Sequence, residues 1–201
     1  MLYDIDRVRF HIREMLDARG EDVSYIEEHG DAVARSRYFT EFIELNTDKT
    51  TVMFALTKDI LKDVAKEFKE AAAVEDMVEK YNNTRNFIIV VSEPPSSVSN
   101  NLFIAKDKEL NAIGGMLQIF QLRELMYNPS KHELVPLHEK LTDAEAKEFM
   151  DQYMLKSKAY VPVIHKTDVM ARWLGLRHGD IVKITRYNET SGEYFYYRCC
   201  V

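Results

Sequence analysis

Cysteine is nearly absent from this chain of 201 residues: the only two, Cys199 and Cys200, stand side by side at its end. Adjacent cysteines cannot close a loop with each other in ordinary disulfide geometry, so a disulfide-stapled fold is excluded and a reducing compartment is expected. No apolar run approaches the roughly 20 residues that cross a bilayer. The opening MLYDIDRVRF alternates charge with apolar residues instead of offering a signal core, so neither a membrane nor a secretory route is expected. No repeat of fixed period occurs. Positive charge is in deficit, 27 Lys+Arg against 33 Asp+Glu for a net −6, which argues against a free-standing nucleic-acid binder.

The familiar signatures of chemistry are missing as well. His132-Glu133 and His138-Glu139 hint at a metal site, but the histidines are six apart with Pro136 between them and cannot share one helix face as HExxH does. Side chains bonding nearby backbone explain them better. Cys199 and Cys200 have no His or Asp partner at a recognisable spacing, and read as strand residues. Gly114-Gly115 lacks the further glycines and the Lys-Ser/Thr of a phosphate loop, and marks a turn or a close packing point.

What is present is an ordinary globular composition, 46% hydrophobic and 30% charged, enough to build a core. Ile5, Val8, Ile12, Met15 and Leu16 fall at helical spacing ahead of Gly20, with Arg7, Arg9, Arg13 and Arg19 expected on a solvated face. Ser24 and Glu27 have capping-box spacing for a short second helix. Phe39 to Leu45 and Thr50 to Leu56 read as a hairpin around residues 46–49. Lys58 to about Tyr81 carries a broken helical stripe, one helix or two. Asn86 to Val91, NFIIVV, is a buried strand that stops at Pro94-Pro95. A helix and a second apolar stretch, Met116 to Leu122, follow.

Asn128-Pro129-Ser130 is the best boundary, because the charge balance changes there. Residues 129–201 hold 11 Lys+Arg and 10 Asp+Glu, which leaves 16 and 23 for the first 128. Beyond the boundary, Thr142 and Glu145 form a capping box ahead of Phe149 and Tyr153. Asp168 caps a short helix that Gly175 ends. Two strands around Ile181–Ile184 and Tyr194–Tyr197 are joined by residues 188–192. The expected fold class is α/β and α+β: an N-terminal three-layer-like α/β domain, residues 1–128, and a small mixed α/β domain, residues 129–201.

The segments HELVPLHEKLT (132–142) and DVMARWLGLRHGDIVKITRYNETSGEYFYYR (168–198) closely resemble the common subunit 5 of the eukaryotic nuclear RNA polymerases and its archaeal counterpart. The matching residues include His132, Leu134, Val135, Pro136, His138, Asp168, Ala171, Arg172, Gly175, Gly179, Lys183, Ile184, Arg186, Glu189, Thr190, Gly192, Tyr194, Tyr197 and Arg198. Val169, Trp173 and Tyr187-Asn188 depart from the family pattern. The first 128 residues resemble the family more weakly, in the order helix, hairpin, helix, buried strand and then Pro95-Ser96-Ser97.

That resemblance implies an N-terminal jaw domain, here shortened and divergent, and a C-terminal assembly domain. It implies a noncatalytic subunit of a DNA-directed RNA polymerase, with no catalytic residue, no metal and no cofactor of its own. The partners implied are the largest polymerase subunit and other subunits, and downstream duplex DNA met through the assembled enzyme. His132, Pro136, His138, Arg172, Lys183, Arg186, Glu189, Thr190 and Arg198 are the expected interface residues, and Pro95, Ser96 and Ser97 the DNA-proximal loop. The location implied is the nucleus for a cellular form, or the virion and infected host cell for a form encoded by a large DNA virus, which the divergent jaw favours. The alternative is an independent nuclease, since the family's jaw resembles restriction-type nucleases in fold. Glu67-Phe68-Lys69 fits the nuclease Glu-x-Lys by letter, but it lies in the most helical stretch, where Glu67 and Lys69 cannot project to one face.

Overall fold

A computed structural model of the chain describes residues 4–24, 43–71, 73–81, 83–190 and 192–201. The chain divides into two compact units, one up to Tyr127 and one from Asn128 to Val201.

The first unit begins with helix α1, Ile5–Ala18, capped by Asp4, whose carboxylate accepts from the Arg7 amide. Val8, Ile12, Met15 and Leu16 are buried, as the spacing requires. The expected solvated arginine face needs one correction. Arg19 sits one turn beyond Met15 and Leu16, on the apolar stripe itself, and donates to the Gln118 side chain at 2.7 Å. Burial pulls its guanidinium down to about pKa 10, with Glu21 opposing the shift.

A mixed sheet follows, in the order β1 (Ile43–Asn46), β2 (Thr50–Ala55), β3 (Asn86–Val91), β4 (Met116–Gln121). β1 and β2 form an antiparallel hairpin, while β2, β3 and β4 are parallel and linked through helices. Residues 39–42 of the expected hairpin, and the helix expected after Ser24, lie outside the described residues. The stripe from Lys58 is two helices, α2 (Lys58–Glu70) and α3 (Val74–Lys80), and α4 spans Ser97–Ala112.

Burial follows the two-residue period of the strands. Met53, Phe87, Ile89, Val91 and Leu117 meet Ile60, Leu61, Val64 and Phe68 of α2 and Phe103 and Leu110 of α4 in one core cluster. Val52, Phe54, Ile88, Val90 and Phe120 are buried on the other face, where Gln118 meets Arg19 of α1. Helices therefore flank the sheet on both sides. After Asn86 the strand is apolar throughout because both its faces are covered, and Phe87 through Val91 are each at most 1% exposed. At about 1.5–3 kcal/mol per side chain, those five residues contribute about 8–15 kcal/mol relative to an extended unfolded chain.

Buried polar groups pin the loops of this unit. Glu21 accepts from the hydroxyls of Thr47 at 2.6 Å and Thr50 at 2.7 Å, locking the β1–β2 turn to the end of α1. Asp107 of α4 accepts from the Leu117 amide at 3.0 Å, which ties α4 to β4.

In the second unit the sheet order is β5 (Leu137–Lys140), β7 (Ile181–Asn188), β8 (Gly192–Cys200), β6 (Val163–Ile164). β5, β7 and β8 run antiparallel and β6 joins β8 in parallel. Helix α5, Asp143–Gln152, starts on the expected capping box: Thr142 Oγ1 accepts from the Glu145 amide, and Glu145 accepts in return from the Thr142 amide at 2.8 Å. Helix α6, Val169–Trp173, is capped by Asp168 and ends at Gly175 with φ +61°. Phe149 of α5 stacks on Tyr197, with ring centroids 4.1 Å apart, over Ile181 and Cys199. Ala171 of α6 packs with Val182, Ile184 and Cys200 on the opposite face.

Candidate functional site

Register decides which of the expected interface residues can act together. Directly opposed residues of an antiparallel pair share a sheet face, and successive residues alternate. Ile184 stands opposite both His138 and Tyr196, Arg186 opposite Tyr194, and Val182 opposite both Lys140 and Arg198. His138, Arg186, Tyr194, Tyr196 and Arg198 therefore project from one face, the face that α6 partly covers. Lys183 belongs to the other, opposite Glu139 and Tyr197.

On the first face two guanidinium groups approach one ring, Arg186 at 5.3 Å and Arg198 at 5.5 Å from the Tyr196 centroid. Cation–π attraction of this kind is worth roughly 0.5–1 kcal/mol at an exposed site and more where water is excluded. Tyr194, beside Arg186, is 40% exposed. His138 hydrogen-bonds the Pro136 carbonyl through Nδ1 at 2.7 Å, which fixes its ring against the strand. On the second face Lys183 lies 4.1 Å from the centroid of Phe195, itself 51% exposed.

The remaining expected interface residues lie outside strands β5, β7 and β8. Arg172 is half-buried on α6. His132 accepts from the Leu134 amide at 3.2 Å ahead of β5, a local turn contact. Glu189 and Thr190 are exposed in the β7–β8 turn, where the Thr190 amide and hydroxyl both donate to Asn188 Oδ1. Both histidines thus bond their own neighbouring backbone. Burial raises the thiols of Cys199 and Cys200, the latter to about pKa 11, so both are protonated strand residues near neutral pH.

In the first unit, Pro95, Ser96 and Ser97 lie just past the C-terminal end of β3. Ser96 is the N-cap of α4, its hydroxyl accepting from the Ser99 amide at 3.3 Å, and Ser97 is the exposed first residue of the helix. The same end of the sheet holds a cavity of about 370 Å³ lined by Thr57, Lys58, Lys62, Ser92, Pro94 and Ser96 among others. The lysines there are compensated, Lys58 by Glu93 at 3.1 Å and Lys62 by Asp59 at 2.9 Å. What the loop offers is hydroxyls and the positive end of a 16-residue helix.

Glu67-Phe68-Lys69 lies inside α2. Glu67 accepts from Lys80 Nζ and from the Tyr81 hydroxyl, both at 2.7 Å, and Phe68 is core. These bonds hold the Glu67 carboxyl below its ordinary value despite partial burial, and they make it a clasp between α2 and α3. The even spacing of Tyr194, Tyr196 and Arg198 puts these three on one face of their strand, but that Arg186 shares it is set by the β7–β8 register, which the sequence reading missed.

Comparison with known proteins gives a consistent picture. Residues 127–200 match the family described as RNA polymerase Rpb5, C-terminal domain. Subunit RPABC1 of DNA-directed RNA polymerases I, II and III from Caenorhabditis elegans is 30% identical over 213 residues, covering 99% of this chain and 96% of the relative. The Caenorhabditis briggsae protein of the same name matches to the same extent. The corresponding protein from Dictyostelium discoideum is 42% identical over 85 residues, 42% of this chain and 43% of its own. The nematode matches run through the N-terminal unit as well as the C-terminal one.

Proposed function

We infer, because this chain belongs to the Rpb5 family of RNA polymerase subunits, that it is a noncatalytic structural subunit of a multisubunit DNA-directed RNA polymerase. The full-length similarity to RPABC1 carries the reading. Catalysis belongs to the complex, and the chain's own residues supply adhesion and shape.

In this reading residues 129–201 are the assembly domain, which docks on the largest subunit, and residues 1–128 are a jaw beside downstream DNA. The cationic and aromatic groups of the β5–β7–β8 sheet support the first assignment. Ser96 and Ser97 support the second: hydroxyls at a helix start suit phosphate oxygens and read no sequence. The compartment is the nucleus for a cellular enzyme. For an enzyme encoded by a large DNA virus it is the virion and the infected cell, which the weaker family resemblance of residues 1–128 supports.

The deciding experiment is co-purification. A tagged chain expressed in its native cell is expected to travel with promoter-independent polymerase activity through affinity and sizing steps, and sedimentation apart from that activity would overturn the reading. Arg172→Glu is expected to lower incorporation severalfold without unfolding the chain. Normal incorporation of that variant removes Arg172 from the interface.

A further inference from the structure

The two faces of the second sheet differ in charge in a way that composition hides. On the Lys183 face the strands also carry Glu139 and Glu193, opposite Lys183 and Tyr187. On the Arg186 face, β5, β7 and β8 contribute His138, Lys140, Arg186 and Arg198 and no carboxylate. Lys140 is already paired, to Asp180 at 2.6 Å. Among the described residues neither Arg186 nor Arg198 has a carboxylate within salt-bridge distance, and the Nε of Arg198 is buried with no hydrogen-bond partner. The opening offered to a partner is therefore the uncompensated charge of the two guanidiniums, and the shielded Nε–H of Arg198 fixes how that group is held. Tyr196 holds both guanidiniums over one ring, in fixed positions from which each presents its planar fork of donors.

We propose that this face, centred on Arg198, Tyr196 and Arg186, is the seat of an acidic peptide segment of a partner subunit, which supplies one carboxylate to the Arg198 fork and a second to Arg186. The proposal rests on the subunit reading and adds the chemistry of the partner. Two arginines fixed against a ring favour planar carboxylates, which accept two parallel N–H bonds at once, and Tyr194 and Tyr196 cover the peptide's apolar stems. The order of encounter follows from the charges: attraction steers the segment in, and the desolvated Arg198 contact sets how slowly it leaves.

The test uses the purified full chain and a hexaglutamate peptide, with the arginine Nε–H resonances followed by NMR and inorganic phosphate as the control anion. Saturable shifts at Arg186 and Arg198 are expected with the peptide and not with equal phosphate. Arg198→Gln is expected to weaken binding at least tenfold, the loss of a charge-assisted bond. Arg198→Lys, which keeps the charge and loses the fork, is expected to fall between, and Lys183→Gln on the opposite face to change binding less than twofold. An unaltered thermal midpoint shows that the variants fold. Equal binding by Arg198→Gln, or equal shifts with phosphate, overturns the proposal. Absence of peptide binding by a chain that co-purifies with polymerase sinks this site alone, whereas failure of co-purification sinks the subunit reading and leaves the peptide titration to judge the site.

Discussion

Gly115 should be among the least replaceable residues of the first unit, and its neighbour Gly114 provides the control. A Cβ on Gly115 would stand 2.3 Å from the Arg85 carbonyl oxygen and 3.2 Å from its carbon, whereas carbon and oxygen ordinarily approach to about 3.3 Å. That oxygen cannot retreat freely, because it accepts from the Met116 amide at 3.1 Å at the start of the β3–β4 ladder. Gly115 is itself held by its own amide, which donates to Leu110 at 2.8 Å. Overpacking of this kind costs about 1–3 kcal/mol, and straining the Met116 bond adds about 1, while the stiffer unfolded chain returns about 0.5. Gly115→Ala is therefore expected to destabilise by about 3 kcal/mol, near 12 °C in midpoint at about 4 °C per kcal/mol for a unit of this size. Gly114 has φ +76° and nothing within 4 Å of the added carbon, so Gly114→Ala carries only the left-handed backbone cost of about 1 kcal/mol, near 4 °C. Thermal scans by circular dichroism measure both. Fluorescence of Trp173, the chain's single tryptophan, reads the second unit separately and is expected to keep its midpoint. Equal stability of the two variants, or a larger loss from Gly114→Ala, would refute the reasoning.

Glu21→Ala should cost about 2–4 kcal/mol by stranding the Thr47 and Thr50 hydroxyls, and Glu21→Gln, which can still bond both, about 1, as read from urea midpoints. The folded-state pKa of Cys200 is raised above its unfolded value of 9.0 to about 11, so the unfolded chain loses its proton first. This stabilising contribution is fully present below about pH 9 and is lost as pH rises toward about 11, and thiol labelling at pH 8 should need denaturant. Rapid labelling of the folded chain would contradict that burial. Replacing Ser96 and Ser97 together by Asp should preserve α4, since Asp caps as well as Ser and suits the helix start. The same change should leave assembly intact and weaken downstream DNA contact in the assembled enzyme, measured by photo-crosslinking; unaltered crosslinking removes the loop from the DNA path.

Local signals were legible in the sequence wherever one physical term dominated. Phe87–Val91 reads as a strand because burial on both faces leaves no polar residue after Asn86, and Thr142, Glu145, Asp168 and Gly175 read as helix ends because caps are written in side-chain chemistry. The break between α2 and α3 was left open by an Ala-rich stretch of high helix propensity, and a tertiary clasp resolves it: Lys80 and Tyr81 fold back onto Glu67. Arg19 went to the wrong environment because arginine suggests solvent, although its spacing from Met15 and Leu16 put it on the buried stripe. The parity of Lys183 against Arg186 was readable within one strand. Which face Arg198 shares was not, because the length and type of the β7–β8 turn set that register.

Charge explains why one chain carries two such different surfaces. The first 128 residues hold seven more acids than bases, and the lysines nearest the Ser96–Ser97 loop are neutralised by Glu93 and Asp59. A unit so compensated releases few counterions on meeting a duplex, and therefore has little affinity of its own for one. On the second unit, by contrast, Arg186 and Arg198 have no carboxylate within salt-bridge distance among the described residues, the opening that the proposed acidic segment fills. Near-neutral composition there conceals a strong local field, because β-strand alternation sends Glu139 and Glu193 to one face and the arginines to the other. Specific attachment needs that sorting of charge by face, and the total of −6 is what remains when it is averaged away.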